Sequence, residues 1–81
     1  MSVREVVRYQ DPKSILVINH QGQIRQLFVP FRVVCIETVQ NIPKGSLVYV
    51  ESVFLHRKYI LLYWINQRLI PYSFFSIQIS W

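Results

Sequence analysis

Apolar residues in this chain recur mainly at two-residue spacing, in short runs separated by turn-forming residues, and this is the pattern of strands. The start is ambiguous. Ser2-x-x-Glu5 has the form of a capping box, and Val3, Val6 and Val7 fall at helical spacing. Val3, Glu5, Val7 and Tyr9 also alternate with Arg4, Val6 and Arg8, and valine favours strands, so a strand is expected over 2–9. Asp11-Pro12-Lys13-Ser14 reads as a turn, with proline presetting the first central dihedral. Ser14 to Asn19 is a strand apolar on both faces, and Asn19-His20-Gln21-Gly22 is a hairpin turn into a return strand from Ile24 to Val29. Pro30 cannot donate to a ladder, so Val29-Pro30-Phe31 is expected to be a kink or a strand edge. From Arg32 to Val39 the strand pattern resumes, with Val34 and Ile36 on one face and Val33, Cys35 and Val39 on the other.

The second half repeats this grammar. Gln40 to Gly45 is a connection. Leu47 to Leu55 is too long and too apolar on both faces for a flat strand. A bulge at Glu51-Ser52 reconciles it, keeping Val48, Val50, Val53 and Leu55 inward and bending the strand. His56-Arg57-Lys58 is a polar turn, and Tyr59 to Ile65 is the most hydrophobic strand. Asn66-Gln67 is a two-residue turn, and Arg68-Leu69-Ile70 a short strand ended by Pro71. Tyr72-Ser73-Phe74-Phe75 predicts one turn of 3₁₀ helix, and Ile77, Ile79 and Trp81 a final half-buried strand. Turns arrive about every eight to twelve residues, the cadence of an all-β barrel or sandwich.

From Phe31 to Trp81 this order resembles that of SH3-like small β-barrels. Lys44-Gly45-x-x-Val48-x-Val50, the strand Tyr59 to Ile65, and Pro71-Tyr72-Ser73-Phe74-Phe75 before Ile77-x-Ile79 carry the resemblance. It implies an all-β, strongly bent antiparallel barrel, with one 3₁₀ turn before the last strand. On that reading residues 1–81 form one domain, with 1–30 an extra N-terminal β-hairpin and 31–81 the barrel. The loop at Val39–Ser46 is short and lacks the acidic residues that signalling SH3 domains set beside their aromatic groove. Recognition of proline-rich peptides is therefore not implied, and no binding residue carries over.

Composition makes that architecture a functional question. A chain of this length buries only about 64% of the surface its unfolded form exposes, yet 52% of its residues are hydrophobic and 16% charged. The excess predicts a docking surface or self-association. In the strand at 59–65, Ile60, Leu62 and Trp64 share one face, and Tyr59, Leu61, Tyr63 and Ile65 the other. A barrel has one interior, so one row needs cover from residues 14–29, a second copy or a partner. Tyr59, Leu61 and Tyr63, with Tyr49 and Tyr72, are the candidate partner-binding residues, because aromatic side chains bury large area at low entropy cost. The expectation is a self-associating, non-enzymatic adaptor module that docks a protein partner through an aromatic-aliphatic sheet face.

The formal charge of +5 raises an alternative: a small basic barrel that binds RNA or single-stranded DNA, stacking bases on aromatic rings beside basic side chains. Arg57, Lys58 and Arg68, with Arg25 and Arg32, are its candidates; the basic residues form no run, so folding must assemble any patch. Reactive chemistry is sparse. Glu5, Asp11, Glu37 and Glu51 make no recognisable pair, and His20 and His56 sit in separate turns. Cys35 lies among Val33, Val34 and Ile36, the setting of a buried thiol. Gly22 and Gly45 stand alone, without a phosphate-cradling loop. No enzyme activity, cofactor or metal site is expected. Residues 1–5 lack the apolar core of a signal peptide, and no apolar run approaches the roughly 20 residues of a membrane span. With the lone cysteine, this sets the expectation of a cytoplasmic protein without a membrane partner.

Overall fold

The alternating runs fold as nine strands and a single 3₁₀ turn in a computed structural model that describes residues 6–57 and 60–79. The strands are β1 (Val6–Asp11), β2 (Ser14–Ile18), β3 (Ile24–Phe28), β4 (Phe31–Cys35), β5 (Leu47–Val50), β6 (Ser52–His56), β7 (Ile60–Ile65), β8 (Arg68–Pro71) and β9 (Phe75–Ile77). All pairings are antiparallel, in three sheets of three strands ordered β1-β2-β3, β5-β4-β9 and β6-β7-β8. The pairings among the described residues do not close a barrel. No helix among them is long and apolar enough to cross a membrane.

The N-terminal segment is more than a hairpin. β1 adds a third strand, so the strand expected over 2–9 is observed from Val6; residues 2–5 lie outside the described part. Asp11 shapes the β1–β2 turn: its Oδ1 accepts from Lys13 N–H at 2.8 Å and from Ser14 Oγ at 3.1 Å. Ser14 is fully buried, and Gln26 Nε2 donates to its Oγ at 3.1 Å, so its hydroxyl is satisfied. In the β2–β3 turn Asn19 Oδ1 accepts from Gln21 and Gln23 N–H, both at 3.0 Å, and Gly22 takes a φ of +82°. β3 ends at Phe28, the chain bends through a cis Val29–Pro30 peptide, and β4 begins.

β4 stops at Cys35 rather than at Val39, because residues 36–46 fold into a tongue of their own. Val39 and Ile42 exchange backbone hydrogen bonds around Gln40 and Asn41, both of positive φ. The tongue closes where Cys35 N–H donates to Ser46 O at 2.8 Å and Gly45 N–H to Cys35 O at 2.7 Å. Cys35 Sγ lies within hydrogen-bond reach of the Glu37 carbonyl (3.0 Å) and the Ile42 carbonyl (3.6 Å), and Ile42 is buried.

Where a bulge is expected at Glu51-Ser52, the strand breaks at Glu51, between β5 paired with β4 and β6 paired with β7. Val50 and Val53 are both fully buried although three positions apart, which a regular two-residue alternation forbids. Leu55 shares the inward parity of Val53 but is exposed near the end of β6. Asn66 and Gln67 both adopt positive φ between β7 and β8, as a type I′ hairpin requires. The 3₁₀ turn spans Tyr72–Phe74. The last strand is shifted relative to expectation: β9 runs from Phe75 to Ile77 and ends before Ile79, with Gln78 N–H still donating to Arg32 O at 3.1 Å beyond the last paired position, Val33 with Ile77.

The core draws on every sheet: Ile15 and Val17 from the first, Phe31, Val33, Cys35, Val50, Phe75 and Ile77 from the second, and Val53, Leu61, Tyr63, Ile65 and Ile70 from the third. The first sheet is thus part of the core rather than an appendage. Ile15→Ala is expected to lower unfolding free energy by about 2–5 kcal/mol, the cost of a buried large-to-small change, in a urea melt. A loss below about 1 kcal/mol would show that this sheet packs loosely.

Candidate functional site

Tyr63 illustrates how the strand at 59–65 is used. On β7 it stands directly across from Val53 on one side and Ile70 on the other. Its ring meets Phe31 edge-on at 5.6 Å and Phe75 at 6.0 Å, tying the third sheet to the second. Tyr63 is 1% exposed and Leu61 4%. The row containing Leu61, Tyr63 and Ile65 is therefore covered by this chain itself. It is core, and does not present itself to a partner. Tyr59 and Lys58 lie outside the described residues. Tyr49 on β5 and Tyr72 in the 3₁₀ turn are exposed.

The opposite row of β7 faces out. Cross-strand register sets Phe54, Leu62 and Pro71 side by side, then Ser52, Trp64 and Leu69, with His56 beside Ile60 at the margin. Phe54, Ile60 and Leu69 are exposed, and Leu62, Trp64 and Pro71 half-buried. This outer face of the third sheet carries no charged side chain between Ser52 and Pro71 in those rows. Phe54 and Leu69 were not among the sequence candidates. Counting back from the Asn66-Gln67 turn pairs Ile65 with Arg68, and so Trp64 with Leu69, which was the available signal.

The basic candidates are dispersed. Arg25 lies on β3, across from Val17. Arg32 lies on β4, directly opposite Tyr49 on the outer face of the second sheet. Arg57 is in the turn after β6 and Arg68 at the start of β8, at opposite ends of β7, about 17 Å apart at the usual rise per residue. Arg68 Nη1 donates to Gln40 O, fixing its guanidinium on the tongue. Arg57 and Arg68 therefore do not join in one patch. Among the described residues no three His, Cys, Asp or Glu side chains gather where a metal ion could be held, and Cys35 is buried.

The chain matches no protein-family model, no curated protein and no solved structure.

One titration carries information about this arrangement. Burial above all, with the neighbouring Tyr72 phenol second, raises the Tyr63 hydroxyl above the ordinary tyrosine range. In the unfolded chain it ionises near pH 10, so above that pH the unfolded state binds fewer protons than the folded one. The stabilisation is complete below about pH 10 and declines as pH rises further. In urea melts at about pH 8 and pH 11, the wild type is expected to lose more stability than Tyr63→Phe over that interval. Equal losses would place Tyr63 in contact with water.

Proposed function

We propose that this chain is a non-enzymatic protein-interaction module that self-associates and docks a protein partner on the outer face of its third sheet. The observation that carries the reading is the run of Phe54, Ile60, Leu62, Trp64, Leu69 and Pro71 on one uncharged face. Water-exposed apolar area of this kind is favourable to cover, at about 25 cal/mol per Å². Half-buried Trp64, on the middle strand of this face between Ser52 and Leu69, is the kind of large aromatic side chain that anchors interfaces.

The scaffold we infer for this module is an SH3-like, strongly bent barrel formed by the second and third sheets. Its support is the pairing of β4 with both β5 and β9, the β6-β7-β8 meander, the bend at Glu51 and the 3₁₀ turn before β9. The first sheet then lies against one flank, with β1 and β2 on β6.

Phe54→Glu combined with Leu69→Glu places charge on exposed positions and is expected to leave the melting midpoint within about 5 °C of wild type, as surface changes do. It is expected to lower the binding of an apolar dye and to strip the host proteins that an immobilised wild-type chain retains. An unchanged set of retained proteins and unchanged dye binding would defeat the reading.

The alternative, an RNA- or single-stranded-DNA-binding barrel, is favoured by one feature: exposed Tyr49 directly opposite exposed Arg32, a stacking ring beside a cation. The separation of Arg57 from Arg68 places it second. If it holds, a labelled oligonucleotide binds at low salt with a log–log salt slope of about −0.7 per phosphate contact, and Tyr49→Ala weakens binding. Absence of an anisotropy change at low salt would eliminate it.

A further inference from the structure

The first sheet ends in an open edge whose chemistry is self-complementary. β3 pairs with β2 along one side, and among the described residues no strand pairs with its other side. Two hydrogen bonds flanking the β2–β3 ladder reveal which backbone groups point outward. Asn19 N–H donates to Gln23 O at 3.1 Å, and Val29 N–H to Lys13 O at 2.9 Å. These are hydrogen-bonded positions, and by antiparallel alternation Val17 with Arg25 and Ile15 with Leu27 are too. The N–H and C=O groups of Ile24, Gln26 and Phe28 therefore point away from β2 into the open edge.

Among the described residues, the other edge strands lie close to a strand of another sheet or are blunted. β1 and β2 lie against β6, and β5 lies against β7. β8 ends on Pro71, and β9 is three residues long. β3 has none of these protections: it contains no proline, and its one charged residue, Arg25, turns its backbone toward β2. Ile24 is 65% exposed and Phe28 64%.

We propose that β3 pairs with β3 of a second copy of this chain, antiparallel about a twofold axis at Gln26. Two sheets of three strands thereby become one sheet of six. The inference rests on the self-association in the reading above, and assigns it to a surface separate from the docking face. A second copy is favoured over another strand by the spacing itself. Ile24 and Phe28 are equidistant from Gln26, so the axis sets Ile24 opposite the partner's Phe28, apolar against apolar. Gln26 meets the partner's Gln26. Arg25 lies opposite the partner's Leu27, so like charges are not directly opposed. In this register every outward N–H and C=O of Ile24, Gln26 and Phe28 finds a partner, whereas a two-residue slip leaves an exposed apolar side chain without one. The +5 charge on each copy opposes association at long range, so added salt strengthens this dimer.

Sedimentation equilibrium of the full chain tests the proposal. A concentration-dependent dimer is expected, tighter at about 0.5 M than at about 0.05 M salt. Phe28→Lys and Gln26→Pro are each expected to weaken it about tenfold or more, as charge and proline do on strand edges. The proline removes an N–H that faces the open edge and leaves the backbone bonds of the β2–β3 ladder in place; because it also removes the Gln26 Nε2 bond to buried Ser14 Oγ, far-UV circular dichroism checks its fold and Phe28→Lys tests the edge without that loss. In the unaltered chain, amide exchange at Ile24, Gln26 and Phe28 is expected to slow as concentration rises. A wild-type monomer at about 1 mM, where even weak pairing is populated, would overturn both this inference and self-association, leaving the docking face to its own test. A dimer whose Ile24, Gln26 and Phe28 amides exchange at the monomer rate would overturn the β3 assignment alone. So would a dimer that Phe54→Glu with Leu69→Glu dissociates while the β3 variants do not.

Discussion

The irregularity at Glu51 is the constraint on which the three sheets depend. Val50 closes β5 against Phe31 of β4, and two residues later Ser52 opens β6 against Trp64 of β7. Glu51 N–H donates to Trp64 O at 2.9 Å, so the ribbon remains bonded through its bend. Val53 N–H donates to Pro12 O at 2.9 Å, which pins the β1–β2 turn to the same place. The break at Glu51 thus turns both Val50 and Val53 inward, where residues of all three sheets share one core.

That core has little room for the apolar residues the chain carries. Tyr63, Phe31 and Phe75 occupy its centre with edge and tilted ring contacts. Ser14 is its buried polar member, and its hydroxyl is held by Asp11 and Gln26. Much of the remaining apolar surface stands on outer sheet faces, on the third sheet around Trp64 and on the first at Ile24 and Phe28. A thin core with apolar outer faces is the physical setting in which covering by another chain lowers the free energy most.

Strand order and turns were legible because they rest on local chemistry. Asn19 and Gly22 shape one turn through side-chain acceptance and positive φ, and Asn66-Gln67 another. The break at Glu51 was legible because Leu47 to Leu55 is apolar on both faces, and only a break in alternation puts Val50 and Val53 on one side. The candidate site was legible only in part. Alternation separated β7 into two rows but gave each a comparable apolar content, so Leu61 and Tyr63 were as plausible at a surface as Ile60 and Trp64. Phe54 and Leu69 join the outer face through cross-strand register, a long-range property.

By itself, then, the sequence determined an all-β chain with its turns, its bend and its 3₁₀ corner, since each follows from dihedral preference and two-residue periodicity within a few neighbours. The tertiary structure decided which face of each strand is interior, that 6–28 form a three-stranded sheet sharing the common core, that β9 stops at Ile77, and that Arg57 and Arg68 stand at opposite ends of β7. Those outcomes depend on which strands meet and in what register. Alternation is symmetric between the two faces of a strand, and only packing against other strands breaks that symmetry.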